Sequence, residues 1–342
     1  MNDAYTSRVL APEQLTRSEI ALWNDLCATE PMLASPFLSH AYTLAVKKSG
    51  ASVRVCLIYR NKKLCAFFPY QFSTVLTTWL KAAEPAGGRM TDYFGLIAAP
   101  DLTVSASQLL SLARLNQVTF THLDESQLAF GLSGEAPRPG LRIACRAPCG
   151  AARTSIFDHK HQADLKRKTR LLIQEVGALH FTFDVQENRL QHLQSLIRQK
   201  RSQYAKSNVS DALRSRWKHR LLEHLLYTVC NECSGILSVL YAGDQWVASH
   251  FGIRGNGILQ YWFPVYNPAL GRYSPGKILL DQIAQASTRH AIHTIDRGEG
   301  NAQSKMEAPG DQHQFYRGVW HNGTAPTLVV RGSQSLLWRL GK

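Results

Sequence analysis

Two stretches of the chain can be laid over one another. Residues 55–66, "VCLIYRNKKLCA", alternate, break at a short polar turn over 60–63, and resume; residues 237–248, "LSVLYAGDQWVA", have the same form. In that overlay Leu57 meets Val239, Ile58 meets Leu240, Tyr59 meets Tyr241, Asn61 meets Gly243 and Ala66 meets Ala248, a constant offset of 182. Each stretch reads as a β-hairpin, and the shared register predicts two copies of one unit.

What surrounds each hairpin supports duplication. Helical patterns at 18–30 and 39–48 precede the first, and patterns at 189–204 and 211–233 precede the second. After the second hairpin come a strand, "ILQYWFPVYN", a loop, a helix to about His290 and a further strand, "IHTID". This order predicts an α/β (α+β) chain of two tandem domains, each a mixed, mostly antiparallel sheet flanked by helices. Gly- and Pro-rich stretches at 134–140, "GEAPRPG", and 147–154, "APCGAART", mark the boundary, giving expected domains at 1–150 and 151–342. A length of 342 residues with 44% hydrophobic content suffices for two cores.

No window approaches about 18 uninterrupted apolar residues, and the first residues lack the apolar centre of a secretory signal, so a soluble cytoplasmic protein is expected. The seven cysteines are odd in number and lie mostly in apolar runs, which predicts reduced packing thiols rather than a disulfide framework. Cys145, Cys149, Cys230 and Cys233 nominally supply four zinc ligands, but neither pair has a Gly-rich knuckle, and no metal is expected. The net charge of +14 favours anionic partners. Helix pattern 159–177 puts Leu165, Leu172 and Val176 on one face and Lys166, Arg167, Lys168 and Arg170 on the others, either a solvated face or a polyanion contact. Other basic residues are dispersed and no base-reading motif occurs, so DNA is not an expected partner.

The loop after the second hairpin, "NPALGRYSPGKILLDQIAQAS" at 267–287, has two readings. Ser274 as N-cap with Pro275 at the first helical position makes an ordinary capped helix. Alternatively, Gly276 lets an anion approach the first free N–H groups and Lys277 adds a charge, which makes a phosphate cradle.

These residues resemble the bacterial cellulose-biosynthesis-type acetyltransferases, a branch of the GCN5-related N-acetyltransferase (GNAT) superfamily. The family's Ser-Pro-Gly loop is similar to Ser274, Pro275 and Gly276; its strand-ending Asp, the Gly four residues on and the Lys five beyond fall on Asp296, Gly300 and Lys305. In "TDYFGLI", Asp92 and Tyr93 stand in the place of a family Asp-Tyr pair, while Ser304 stands where the family usually has Tyr. The resemblance runs from about Ser35 to Ala308, and the tandem organisation is also similar to the FemABX peptidyltransferases, which take aminoacyl groups from tRNA.

The resemblance implies an acyl-CoA cosubstrate, acetyl-CoA above all, with its pyrophosphate on the Ser274–Lys277 loop of the second domain, and a first domain that is a degenerate copy contributing acceptor contacts. It implies an acyltransferase acting on an amine or hydroxyl of a sugar, polysaccharide precursor or small metabolite. Such chemistry needs a polarised carbonyl, a deprotonated acceptor and a protonated leaving thiolate. Asp296, Glu299 and His250 are the candidate bases; Asp296 also reads as a strand-end cap and His250 as a satisfied sheet histidine. Tyr266 or Tyr273 would protonate the thiolate unless it only packs. Pro264 is expected to disturb pairing and splay its strand. Lys305, with Gly300 and Tyr93, is assigned to the acceptor, in a polar loop suited to a lid or to plain surface. The alternatives are an aminoacyl-tRNA-dependent transferase, for which the charge and the basic helix argue, and a non-catalytic nucleotide- or RNA-binding member of the fold.

Overall fold

In the computed structural model, residues 5–145, 155–300, 308 and 310–323 are described. The chain divides into two compact units, Met1–Arg138 with Gln314–Lys342, and Pro139–His313.

The first unit carries strands β1 (Tyr5–Leu10), β2 (Ser52–Arg60), β3 (Lys63–Phe72), β4 (Ala82–Pro85), β5 (Ile97–Ala98) and β6 (Gln117–Asp124), with helices α1 (Arg17–Thr29), α2 (His40–Lys48), α3 (Val75–Trp79) and α4 (Ala106–Ala113). β1, β2, β3 and β4 pair antiparallel in that order, β4 pairs parallel with β6, and β5 lies on β3. Helix starts are fixed locally: Thr16 accepts the Glu19 N–H while the Glu19 carboxylate reaches back, and Ser39 caps α2. The core is aromatic, with Trp23 stacked on Phe67 at 4.8 Å and its indole N–H donated to Leu38 O at 2.8 Å.

The second unit holds the end of β7 (Glu135–Ala144), β8 (Leu179–Thr182), β9 (Ser234–Ala242), β10 (Gln245–Gly255), β11 (Ile258–Tyr266) and β12 (Thr294–Glu299). Its helices are α5 (His159–Glu175), α6 (Arg189–Lys206), α7 (Arg216–Tyr227) and α8 (Pro275–Ser287). The sheet runs β7-β12-β11-β10-β9-β8, antiparallel except for the parallel β11–β12 contact. Leu172, Leu240, Leu279, Ile283 and Ile295 are among its fully buried residues. Mixed sheets with helical cover are thus the architecture of both units, as the element order implies.

The overlay of the two hairpins holds in three dimensions. In β2–β3, Ile58 pairs with Ala66 and Tyr59 with Leu64, leaving Cys65 as an extra residue. In β9–β10, Leu240 pairs with Ala248 and Tyr241 with Trp246, leaving Val247 extra. Cys65 and Val247 are related by the same offset as the sequence matches, so both copies carry a bulge at one position. Asn61 and Lys62 turn the first hairpin at φ 53° and 67°, and Gly243 takes φ 53° in the second.

Three differences from the sequence reading have local causes. Residues 314–323 join the first unit rather than the second, because Phe315 to His321 of the last strand, β13 (Asp311–His321), pair antiparallel with β6. The helix expected over 211–233 is shorter: Asp211 accepts the Leu213 N–H in a turn before it, and Thr228 is extended after it. The strand expected to close at Asp296 continues to Glu299.

Candidate active site

β11 and β12 pair only at Ile258–Thr294, Leu259–Ile295 and Gln260–Asp296. Beyond Gln260, β11 keeps its ladder to β10 as far as Tyr266 and has no partner strand on its other edge among the described residues. The direction of its backbone groups follows from one bond. Asn267 donates its N–H to Val247 O on the β10 side, so by alternation Val265 and Phe263 also face β10. Trp262, Pro264 and Tyr266 then face the open edge. Pro264 therefore removes no ladder bond: it sits opposite His250 with its missing N–H turned outward, and the expected disturbance of pairing by this proline does not occur. The register shift lies between Phe251 and Ile253 instead.

Asp296 stands at the last β11–β12 pair, 1% exposed. Its Oδ1 accepts the Gly298 N–H at 2.7 Å, and Oδ2 lies 3.3 Å from Arg142 Nε on β7. Gly298 has φ 64°, and the β12–β7 register shifts between Asp296 and Glu299. The carboxylate thus holds the irregularity by which β12 turns away from β11. Glu299 ends β12 half-buried, opposite Gly140. Gly300, at φ 134°, donates its N–H to Pro139 O at 2.8 Å, a conformation that favours glycine.

His250 lies in the middle of β10, fully buried, its ring stacked on Tyr261 at 4.4 Å and 9°. Neither ring nitrogen has a well-aligned partner, the Gln260 backbone offering a marginal one. Burial lowers its pKa from 6.5 to about 3, so the ring is neutral at ordinary pH and a very weak base.

At the far end of the open edge, Tyr266 is 43% exposed and lies over Gly276: a Cβ built on Gly276 meets only Tyr266 Cδ1, at 3.9 Å. No packing demand therefore explains the glycine. Ser274 is the N-cap of α8 and Pro275 its first residue, yet the Ser274 side chain makes no cap bond. With φ 58°, it turns its carbonyl to the N–H groups of Lys277 at 2.9 Å and Ile278 at 3.2 Å. Pro275 has no N–H, which leaves the Gly276 N–H as the amide of this turn with no acceptor among the described residues. Lys277 follows in the first turn of α8, half-buried. Lys168 Nζ, from the basic helix α5, bonds Ser274 Oγ at 3.1 Å and Asp164 Oδ2 at 2.8 Å. One member of the charge run is thus delivered to the α8 N-terminus. Tyr273 is buried and donates its hydroxyl to Glu175 Oε2 at 2.6 Å, which withdraws it from the open edge.

Lys200 has no counterpart in the sequence reading. From α6 its Nζ donates to Pro264 O at 3.0 Å and to Gln203 Oε1 at 3.3 Å, with Tyr204 beneath it at 5.3 Å. No carboxylate pairs with it among the described residues, and burial lowers its pKa from 10.5 to about 8. A signal was present: Leu193, Leu196 and Ile197 form the buried stripe of α6, and Lys200 continues it at helical spacing.

The structure therefore brings Asp296, Glu299, Tyr266, Gly276 and Lys277 onto the strands and helix that frame one open edge, with Lys168 and Lys200 added from α5 and α6. Tyr93 belongs to the first unit, buried against Phe315 at 5.0 Å. Lys305 lies outside the described residues. The described cysteines form no disulfide, and no group of three or more metal-binding side chains occurs among the described residues. Among those residues too, no helix is long and apolar enough to cross a membrane.

Each unit has a parallel strand pair reached through a crossover helix, β4–β6 after α4 and β11–β12 after α8, and comparison with known structures shows the fold to be tandem GNAT-like. FemX superposes with a TM-score of 0.58 at 8% identity, covering 91% of this chain and 96% of that one. The C-terminal domain of a protein from Agrobacterium fabrum, described as a lysylphosphatidylglycerol synthetase, gives 0.56 at 12% identity over 94% and 97%. A tandem GNAT protein from the clavulanic acid biosynthesis pathway gives 0.52 at 10% identity over 94% and 100%. At these identities the likeness is one of fold. In sequence, residues 159–306 match the family described as the acetyltransferase (GNAT) domain, a stretch that lies within the second unit. No curated protein matches the chain in sequence.

Proposed function

We propose that the second unit is an acyl-CoA-dependent N- or O-acyltransferase, acetyl-CoA being the leading donor, that acts on a sugar, polysaccharide precursor or small metabolite in the manner of the cellulose-biosynthesis-type enzymes. The observation that carries this reading is the open edge of β11, which begins at the Gln260–Asp296 pair and ends over an uncrowded Gly276. A donor laid along that edge meets outward backbone groups of Trp262 and Tyr266, and its phosphates meet the Gly276 N–H, with the Lys168 ammonium held at Ser274 and Lys277 next in the chain. The bound thioester supplies the activated acyl group. Tyr266, exposed at the mouth, is the candidate acid for the leaving thiolate; Asp296 and Glu299 on β12 are the candidate bases, while burial makes His250 a very weak one. Lys305 is the proposed acceptor contact.

A second reading, transfer from aminoacyl-tRNA as the likeness to FemX suggests, has its own support. A pantetheine arm needs acceptors for its amide N–H groups, and the outward Pro264 carbonyl is already taken by Lys200. Ligand-dependent melting of the whole protein separates the two: CoA thioesters raise Tm on the first reading, aminoacyl-tRNA on the second. Stabilisation by neither removes both donors.

A further inference from the structure

Helix α3 is built inside out. Thr74 caps it through the Thr77 N–H, and the hydroxyls of Thr77 and Thr78 both turn back to Thr74 O, at 2.9 and 3.0 Å. The polar side chains are thereby spent on the helix's own backbone. Val75, Leu76 and Trp79 project outward, 88%, 62% and 81% exposed. Spacings of three and four residues place Trp79 beside both of the others in one apolar stripe. The turn is pinned at its base, where Leu80 O accepts Asn116 Nδ2 and Lys81 O accepts the Asn116 N–H, each at 3.0 Å.

Three cations stand near that base. Lys81 is exposed two residues beyond Trp79, and Arg114 is exposed two residues before Asn116. Lys48 is exposed at the end of α2, four residues before Ser52, which pairs with Phe72 at the foot of α3. None of the three has an ion-pair partner among the described residues. Glu13 is 3.7 Å from Lys47, and Glu84 accepts from Gln71 Nε2 at 2.8 Å.

We propose that α3 and its basic rim are a docking surface for an anionic lipid bilayer: the Trp79, Val75 and Leu76 side chains enter the headgroup boundary while Lys48, Lys81 and Arg114 meet lipid phosphates. An exposed tryptophan with aliphatic neighbours above a ring of cations matches that interface in both polarity and charge.

The test is cosedimentation of the whole protein with vesicles of phosphatidylcholine alone and of equal parts phosphatidylcholine and phosphatidylglycerol. Binding to the anionic vesicles is expected, weakened by salt and reduced about 10-fold or more in a Val75→Ser, Leu76→Ser, Trp79→Ser variant with unchanged Tm. Replacing Lys48, Lys81 and Arg114 together by Gln should reduce binding to the anionic vesicles only. Absence of binding, or equal binding by the apolar variant, overturns the proposal. So does a concentration-dependent dimer that the apolar variant abolishes, which would make a second copy the occupant. A lowered Tm of that variant without vesicle binding overturns it in favour of a surface covered by the chain itself.

Discussion

Arg142 Nε and Asp296 Oδ2 lie 3.3 Å apart across neighbouring strands, where the parallel pairing of β11 with β12 stops. The carboxylate is 1% exposed and also accepts the Gly298 N–H, so it is occupied in holding the strands that frame the edge. Asp296→Asn should lower Tm, and Asp296→Ala should cost about 2 kcal/mol or more by leaving Arg142 and the Gly298 N–H unanswered. Arg142→Met should destabilise less, because its side chain is partly in water. Melting and turnover of the three variants check this: an Asn variant with wild-type Tm and turnover down about 100-fold would restore Asp296 as the base.

Lys200 lies against Pro264 O with a pKa lowered to about 8 by burial. If its charge serves the donor, kcat/KM falls as pH rises through about 8, Lys200→Arg moves that limb to higher pH, and Lys200→Met loses about 10-fold or more. Stability should run the other way. The unfolded lysine holds its proton up to 10.5 and the folded one only to about 8, so stability rises with pH across that window in the wild type and not in the Met variant. A Met variant with wild-type rate at every pH would confine Lys200 to packing.

The hairpins, the helices before them and the Ser274-Pro275 start of α8 were legible because each is a local pattern: alternation, a 3.6-residue period, a cap followed by proline. Even the shared bulge at Cys65 and Val247 lies within the register that the sequence overlay defines. The return of β13 to β6 was not legible, since Phe315 and Asp124 are paired by topology and not by proximity in the chain. Pairing across such distances also hides Lys168 beside Ser274 and Lys200 beside Pro264. His250 reads in sequence both as a base and as a sheet histidine, and the strand pattern buried on both faces favours the second.

His250 makes a prediction about acid. Its folded pKa of about 3 lies below the unfolded 6.5, so the unfolded chain takes up a proton that the native state refuses. The contribution to stability is complete above 6.5 and is lost as pH falls towards about 3. His250→Gln should flatten the pH dependence of urea unfolding in that window. A variant that keeps the wild-type slope there would show that other groups govern acid unfolding.

Substitution of Gly276 tests the proposed donor. A side chain placed there meets open space as far as Tyr266 Cδ1, 3.9 Å from the Cβ, and the backbone is not at positive φ, so neither packing nor strain opposes substitution. Gly276→Ala and Gly276→Glu should both keep the wild-type Tm. What changes is the approach of an anion to the Gly276 N–H. The Ala methyl group lengthens that approach and should weaken CoA binding about 10-fold, while the Glu carboxylate sets like charge against the pyrophosphate and should abolish it. Calorimetric titration of CoA into the three proteins checks this. CoA binding by the Glu variant as tight as by the wild type would rule out the cradle, and with it the acyl-CoA reading of the open edge.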